Sequence, residues 1–123
     1  MGMPNLLAKF IYREPPVQPP TVRVVEDGLQ VIRGVDVLAS ARWSDVKKII
    51  TYKHDLFSTD EIRVGFLAAT EADSWLEISE EWSGFKEAIA RMEELFPSIP
   101  GDWFWEVAVP AFDRKETVLW EDS

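Results

Sequence analysis

The chain has 123 residues, no cysteine, and 22 acidic against 13 basic side chains, which gives a net charge of −9 at pH 7. A chain of this length can bury a core without disulfides or a metal, and the lack of cysteine excludes thiol catalysis and sulfur-ligated zinc. Nucleic acids and anionic membranes select lysine and arginine, so neither is expected as a partner. No leader or long apolar run occurs, so a cytoplasmic location is expected. The charge itself indicates either solubility or an acidic surface for a basic protein partner.

Residues 1–20 and residues 21–123 differ in composition. The first part ends in the stretch PPVQPP at positions 15–20, where the prolines remove amide donors and fix an extended path. We interpret residues 1–20 as an N-terminal segment with a stiff proline-rich connector, and residues 21–123 as a single α+β domain. The alternative role of the proline-rich stretch is that of a ligand for an aromatic groove in another domain.

The first two predicted strands form a hairpin. Asp27-Gly28 separates two valine-rich runs, Thr21–Glu26 and Leu29–Arg33, and this dipeptide is typical of a type I′ turn because both of its central residues adopt positive φ. A two-residue turn then fixes the register of the two strands. The expected cross-strand pairs are Val24 with Val31 and Arg23 with Ile32.

Four further strands are predicted from alternating apolar and polar side chains and from branched or aromatic residues. The segment between the second and third of these, His54–Asp60, is polar and too long for a two-residue hairpin, so it is predicted to be a loop. With the hairpin, the chain is expected to contain about six strands. The four predicted ranges are Val37–Trp43, Ile49–Tyr52, Glu61–Ala68 and Trp75–Ile78.

One amphipathic helix is predicted from Gly84 to Phe96, where Pro97 ends it. Ser83 is the predicted N-cap, and Glu87 and Arg91 are expected to form an i,i+4 ion pair. The apolar residues recur at spacings of three and four, which is one helical stripe. They are Phe85, Ala88, Ile89, Met92 and Leu95.

An aromatic-rich segment follows the helix. Its side chains alternate from Trp103 to Val109, which predicts a last strand or an extended arm lying on the body of the protein. The expected fold is therefore α+β, with an antiparallel β-sheet or roll packed against one C-terminal amphipathic helix and followed by this aromatic-rich arm.

The run Trp43-Ser44-Asp45-Val46, followed by Ile49, Tyr52-Lys53, further strands and one amphipathic helix, resembles the pleckstrin-homology-like roll of small bacterial proteins. Three longer motifs, TYKHDLFSTDEIRVGF, WLEISEEWSGF and DWFWEVAVPAF, are similar to a set of small bacterial proteins without an assigned activity. For the fold, the resemblance covers Thr21–Phe96. The chain departs from the roll in its long segment after the helix and in having six predicted strands where seven are usual. It also lacks the basic loop with which lipid-binding members hold phosphoinositides, so the resemblance implies neither lipid binding nor a catalytic residue.

Residues for catalysis are few. The sole histidine, His54, precedes Asp55, but a metal phosphohydrolase site needs further histidines, and a serine hydrolase needs a Gly-x-Ser-x-Gly turn that the chain lacks. The glycines are scattered and form no phosphate-binding loop, so we expect no metal and no cofactor. The carboxylates could supply a glycosidase pair or a magnesium site, although most carboxylates of an acidic protein are solvated. They are Asp60, Glu61, Glu71, Asp73, Glu77, Glu80 and Glu81.

The six tryptophans are the unusual part of the composition. Trp43 and Trp75 are expected in the core, while the other four either fill the core or form an exposed aromatic patch ringed by acids. A homodimer through the Trp103–Val109 strand would use the same residues. The predicted binding residues are Trp82, Trp103, Trp105, Trp120, Glu80, Glu81, Asp102 and Glu106.

These observations predict a non-enzymatic protein-binding domain with an acidic, aromatic surface, of the kind found in inhibitors and toxin-immunity proteins. The alternatives are a small hydrolase that uses paired carboxylates and a lipid- or ligand-binding roll. The hydrolase predicts a cleft with two converging acids, one of them with a raised pKa. The lipid-binding roll predicts that Lys47, Lys48, Lys53 and His54 gather into one positive patch.

Overall fold

The computed structural model describes residues 18–56, 59–70, 72–109 and 116–122, and in these ranges it contains seven strands and two helices. The expectation of an α+β protein is confirmed, but two antiparallel sheets replace the single sheet of about six strands. The first sheet has the order β1-β2-β3 and the second has the order β6-β5-β4-β7. The strands are β1 (Thr21–Val25), β2 (Gly28–Arg33), β3 (Asp36–Arg42), β4 (Val46–Leu56), β5 (Thr59–Ala68), β6 (Ser74–Ser79) and β7 (Thr117–Glu121); the helices are α1 (Phe85–Leu95) and α2 (Trp103–Ala108).

The β1–β2 hairpin forms, but its turn lies one residue earlier than predicted. Glu26 and Asp27 make the turn, so Val24 pairs with Leu29 and not with Val31. Likewise, Arg23 pairs with Gln30 and not with Ile32. The register differs by two residues, which keeps every side chain on its predicted face.

Gly28 has a different role from the one predicted. It does not adopt a positive φ, and a Cβ at this position would overlap the carbonyl oxygen of Ala41 in β3. The glycine is therefore needed for the close approach of two strands rather than for a type I′ turn.

The β4–β5 hairpin is longer than predicted. The pairing continues to Leu56 opposite Thr59, so residues 54–56 and 59–60 belong to strands and not to a loop. Phe57 and Ser58 lie outside the described residues. The first sheet joins the second through a 3-10 turn, Trp43–Asp45, at the position where the sequence has Ser-Asp before the strand.

The core lies between the inner faces of the two sheets and the two helices. Every second residue of the central strand β5 points into it, as the period-two pattern predicts. Trp43 contributes an edge-on contact with Phe66 at a centroid separation of 5.7 Å. The buried side chains of the second sheet and α1 include Ile49, Ile62, Val64, Phe66, Leu76, Ile78, Ala88 and Met92.

Helix α1 is confirmed to within one residue at each end, but its cap and ion pair differ from the prediction. The N-cap is Gly84, with φ of 89° and no side-chain cap, instead of Ser83. The backbone carbonyl of Ser83 accepts a hydrogen bond from the Val22 amide at 2.7 Å. Arg91 approaches Glu94 at 3.4 Å, three residues along the helix, instead of Glu87.

The predicted extended arm is a helix. In α2, Trp103 is buried and Phe104, Val107 and Ala108 pack against the core, while Trp105 is exposed. Counted from Trp103, these inward residues stand one, four and five positions apart, which is one face of a helix. In so short a segment the same residues also fit the alternation of a strand. After this helix, β7 pairs with β4, where no seventh strand was predicted.

Residues 1–17 lie outside the described residues, so the predicted connector is visible only at Gln18–Pro20. There the Gln18 carbonyl accepts a hydrogen bond from Arg33 Nε at 3.0 Å. Within the described part of the chain, neither helix has the length and apolar character that crossing a membrane requires.

Candidate functional site

A groove of about 380 Å³ lies beside α1 and α2. Its walls are mostly apolar, and it is of the size and character in which proteins hold a side chain or a small ligand. Two carboxylates and one amine are the charged groups that line it. The lining residues are Glu80, Phe85, Lys86, Ile89, Ala90, Glu93, Trp103 and Phe104.

Trp103 anchors α2 on the core and forms part of the groove. Its side chain is only 3% exposed, and its indole Nε1 donates a hydrogen bond to Glu93 Oε2 on α1 at 3.0 Å. Of the two alternatives left open for Trp103, the structure has the buried one, because the α2 helix turns this side chain inward. The bond also uses one oxygen of Glu93 to hold the two helices together.

Glu80 is the second carboxylate of the groove and follows β6. One of its carboxylate oxygens, Oε2, is buried and accepts no hydrogen bond. Burial raises the pKa of the Glu80 carboxyl, a hydrogen bond with the Ile62 backbone opposes the rise, and the nearby charges of Glu81 and Glu61 add to it. A buried acceptor without a partner costs free energy, so the ionised form of Glu80 is disfavoured in the folded protein.

The exposed part of the predicted patch adjoins this groove. Trp105 is 68% exposed, and its ring contacts the groove residue Phe104 edge-on at 6.0 Å. Asp102 and Glu106 are exposed on the same helix, and Glu81 is exposed directly after Glu80. The structure therefore brings Glu80 and Trp103 into one groove with Trp105 beside it.

The other two predicted tryptophans lie elsewhere. Trp120, on β7, is partly buried and packs against Phe96 with a centroid separation of 4.6 Å. Trp82 is also partly buried, and the Arg63 guanidinium lies 5.9 Å from the centre of its ring. Neither of them lines the groove. The core assignment of Trp43 is confirmed, but Trp75 is 48% exposed because it lies on the outer face of β6.

A network of ionised side chains occupies the outer face of β5 and β6. Arg63 donates to Glu61 at 2.7 Å and to Glu77 at 2.6 Å, while Ser79 donates to Glu61 at 2.6 Å. Burial by itself would raise the pKa of Glu61, but the hydrogen bonds from Ser79 and Arg63 outweigh it and hold that pKa below its ordinary value. Glu61 is therefore a fixed carboxylate and not a proton donor.

Lys47, Lys48 and Lys53 do not gather into a patch. Lys53 is buried on the inner face of β4, with Nζ 3.7 Å from Asp60 Oδ2, whereas Lys47 pairs with Asp73 at 2.5 Å and Lys48 with Glu121 at 3.9 Å. The arrangement that the lipid-binding alternative requires is thus absent from these residues. In the described ranges, no three histidine, aspartate or glutamate side chains are grouped so that they could hold a metal ion.

The groove could not be located from the sequence, because one of its walls, Trp103 and Phe104, comes from a helix that was predicted to be a strand. The sequence predicted only that Lys86, Ile89 and Ala90 belong to the amphipathic helix. No protein-family model matches the chain, and no curated protein or solved structure is significantly similar to it.

Proposed function

We propose that the chain is a non-enzymatic protein-binding domain and that the groove beside α1 and α2 receives a segment of a basic partner. The observation that carries the proposal is Glu80, a carboxylate in the wall of an apolar groove whose Oε2 has no hydrogen-bond partner among the described residues. A lysine or arginine of the partner would supply the missing donor, and its aliphatic stem would lie on Phe85 and Ile89.

Charge supports the same class of partner. The chain carries a net charge of −9, and the exposed acids Glu81, Asp102 and Glu106 lie within three residues of the lining residues Glu80 and Trp103. Such acids accelerate association with a basic partner and make the rate fall as salt screens the charges. Inhibitors and toxin-immunity proteins work in this way, and we place the chain in that functional class.

Trp105 is the candidate anchor outside the groove. Large exposed aromatic side chains beside a pocket are typical binding hot spots, and truncating one commonly lowers affinity without unfolding the protein. Its neighbour Phe104 provides a continuous aromatic surface from the groove to Trp105.

The test uses a displayed library of random twelve-residue peptides, selected on the full chain at low salt. We expect enrichment of peptides in which an apolar residue lies next to lysine or arginine, with binding that weakens about tenfold in Glu80→Gln and Trp105→Ala. Glu87→Gln is the matched control, because it removes an equal charge from α1 outside the groove. Selection of acidic or uncharged peptides, or equal losses in the control, would refute the proposal.

The paired-carboxylate alternative keeps one favourable observation, which is the raised pKa of Glu80. Its partner in the groove, Glu93, is held by the Trp103 indole. A general acid with a raised pKa predicts hydrolysis of chromogenic glycosides that vanishes in Glu80→Gln and follows a bell-shaped pH profile. Turnover that meets these two conditions would replace the binding proposal with the enzymatic one.

A further inference from the structure

The outer face of the second sheet carries a second groove, which is separate from the helix groove. Strand register places Tyr52 opposite Arg63, and Gly65 between Ile50 on β4 and Glu77 on β6. Because side chains alternate across a sheet, these residues all face away from the core and the helices. The groove measures about 350 Å³ and is lined by Ile50, Tyr52, Gly65, Trp75, Glu77 and Glu116.

Trp75 forms the aromatic wall of this groove. A Cβ at Gly65 would come within 3.2 Å of the indole, so the ring lies directly on the glycine backbone. The ring remains 48% exposed even though it packs there. A glycine on a central strand thus leaves room for a flat indole, one part of which is open to solvent.

Another tryptophan near this sheet face, Trp82, already contacts a cation. The Arg63 guanidinium lies over Trp82 and forms an ion pair with Glu77, which combines an aromatic ring with a carboxylate around one cation. Trp75 has a similar surrounding of Tyr52, Glu77 and Glu116, but no lysine or arginine of the described chain lies over its ring.

The charged groups around the groove favour a cation over an anion. Arg63 is shared between Glu61 and Glu77, and Glu116 forms no ion pair with a described residue, so the described charged groups around the groove carry a net negative charge. Burial and hydrogen bonding to Glu77 raise the pKa of the Tyr52 hydroxyl above its ordinary value of 10.0, so this ring, like an exposed tyrosine, is neutral at pH 7. Two electron-rich rings near an unbalanced carboxylate attract an organic cation more than a neutral ligand of equal size.

We propose that the Trp75–Tyr52 groove binds a small trimethylammonium cation, with the methyl groups on Trp75 and the positive charge toward Glu116. A trimethylammonium group donates no hydrogen bonds and is weakly hydrated, so it suits a site with aromatic and apolar walls. This binding is independent of the protein-binding function proposed for the helix groove.

The test titrates choline into the full chain labelled with nitrogen-15 and follows the six indole resonances. We expect saturable shifts of the Trp75 indole, with a dissociation constant on the order of 1 mM. The neutral isostere 3,3-dimethylbutan-1-ol, which has the same shape without the charge, should bind at least about fivefold more weakly. Equal binding of the isostere, or no saturable shift of the Trp75 indole, would overturn the proposal.

Two variants separate the cation site from a structural role of Trp75. Glu116→Gln leaves the aromatic wall intact and should weaken choline binding about threefold while the weak isostere binding stays unchanged. Trp105→Phe is the control, because it alters an exposed tryptophan of the other groove and should not change choline binding. Unchanged affinity in Glu116→Gln would also contradict the proposal.

Trimethylammonium occurs on free metabolites and on methylated lysine side chains. A parallel titration with the acetylated amide of trimethyllysine distinguishes the two sources. Tighter binding of choline would identify a free small molecule, and tighter binding of the lysine derivative would identify a modified protein side chain. Both results support a trimethylammonium site, and failure of both probes refutes it.

Discussion

At the scale of single residues, Gly84 lies at a close backbone contact, and Gly101 is the comparison without one. Gly84 adopts a φ of 89°, and a Cβ there would overlap the Val22 carbonyl oxygen, where β1 meets the start of α1. Gly101 has open space around its Cβ position and no left-handed backbone. The two positions therefore form a matched pair for testing what a methyl group costs.

We expect Gly84→Ala to lower the free energy of unfolding by about 2 kcal/mol or more, because it combines left-handed strain with a steric clash. Gly101→Ala should change it by less than about 0.5 kcal/mol. Urea denaturation followed by tryptophan fluorescence measures both values. A loss in Gly101→Ala as large as in Gly84→Ala would mean that the contact between β1 and the start of α1 is not the cause.

Glu80 is the residue at which stability and binding should conflict. Its folded-state pKa lies above the ordinary value of 4.5, so the ionised carboxylate destabilises the fold, and stability rises as the pH falls through that raised pKa. At pH 7 we therefore expect Glu80→Gln to raise the free energy of unfolding of the free protein while it weakens binding of basic peptides.

The pH dependence of unfolding gives the measurement for Glu80. The stabilisation by Glu80→Gln should shrink between pH 7 and pH 4, because the wild-type carboxyl becomes protonated in the folded state first. Glu87→Gln serves as the control, since Glu87 is exposed on α1 and does not line the groove. A constant difference across this pH range would show that ionisation of Glu80 does not destabilise the fold.

At the scale of elements, α2 depends on one side chain. Trp103 buries its ring and bonds to Glu93, whereas Trp105, two residues later, is mostly in solvent. We expect Trp103→Ala to cost about 3–5 kcal/mol and to release α2, while Trp105→Ala costs less than about 1 kcal/mol. Calorimetric melting of both variants gives the comparison. Similar melting temperatures would show that α2 is not held by its buried tryptophan.

The sequence predicted the strands better than the segments that join them. Alternation along β5 and the apolar stripe of α1 are long enough to select one period, and both elements were located within a residue or two. The α2 segment is too short for that, because its aromatic residues fit a strand and a helix equally well. Glu80, Trp103 and Trp105 were predicted as binding residues, but the groove that Glu80 and Trp103 share could not be, since it forms only when α2 packs beside α1.

The turn of the β1–β2 hairpin could not be placed from the residues of the hairpin alone. Asp27-Gly28 has the composition of a type I′ turn, yet Gly28 lies in the strand and makes room for the Ala41 carbonyl oxygen. This requirement comes from Ala41 in β3, thirteen positions after Gly28, so no signal within the hairpin could reveal it. In the sequence, a glycine that a tertiary contact requires cannot be distinguished from a glycine that a turn requires.

At the scale of the whole molecule, charge should limit stability. A net charge of −9 on 123 residues repels itself in the compact state, and the basic side chains offset only part of it. We expect the urea midpoint to rise when sodium chloride increases from about 20 mM to about 300 mM, because the Debye length falls well below the size of the domain. An unchanged or falling midpoint would show that the acidic residues are already well compensated by their neighbours.

The pairing of β4 with β7 has a consequence for how the protein is made. Strand β4 cannot acquire this neighbour until the ribosome has synthesised Thr117–Glu121, long after β4 itself has emerged. During that interval the nascent chain presents an unpaired strand edge with branched residues, which is the kind of surface that promotes misassembly and engages chaperones. Slow closure of such a distant contact also predicts that refolding is limited by this step.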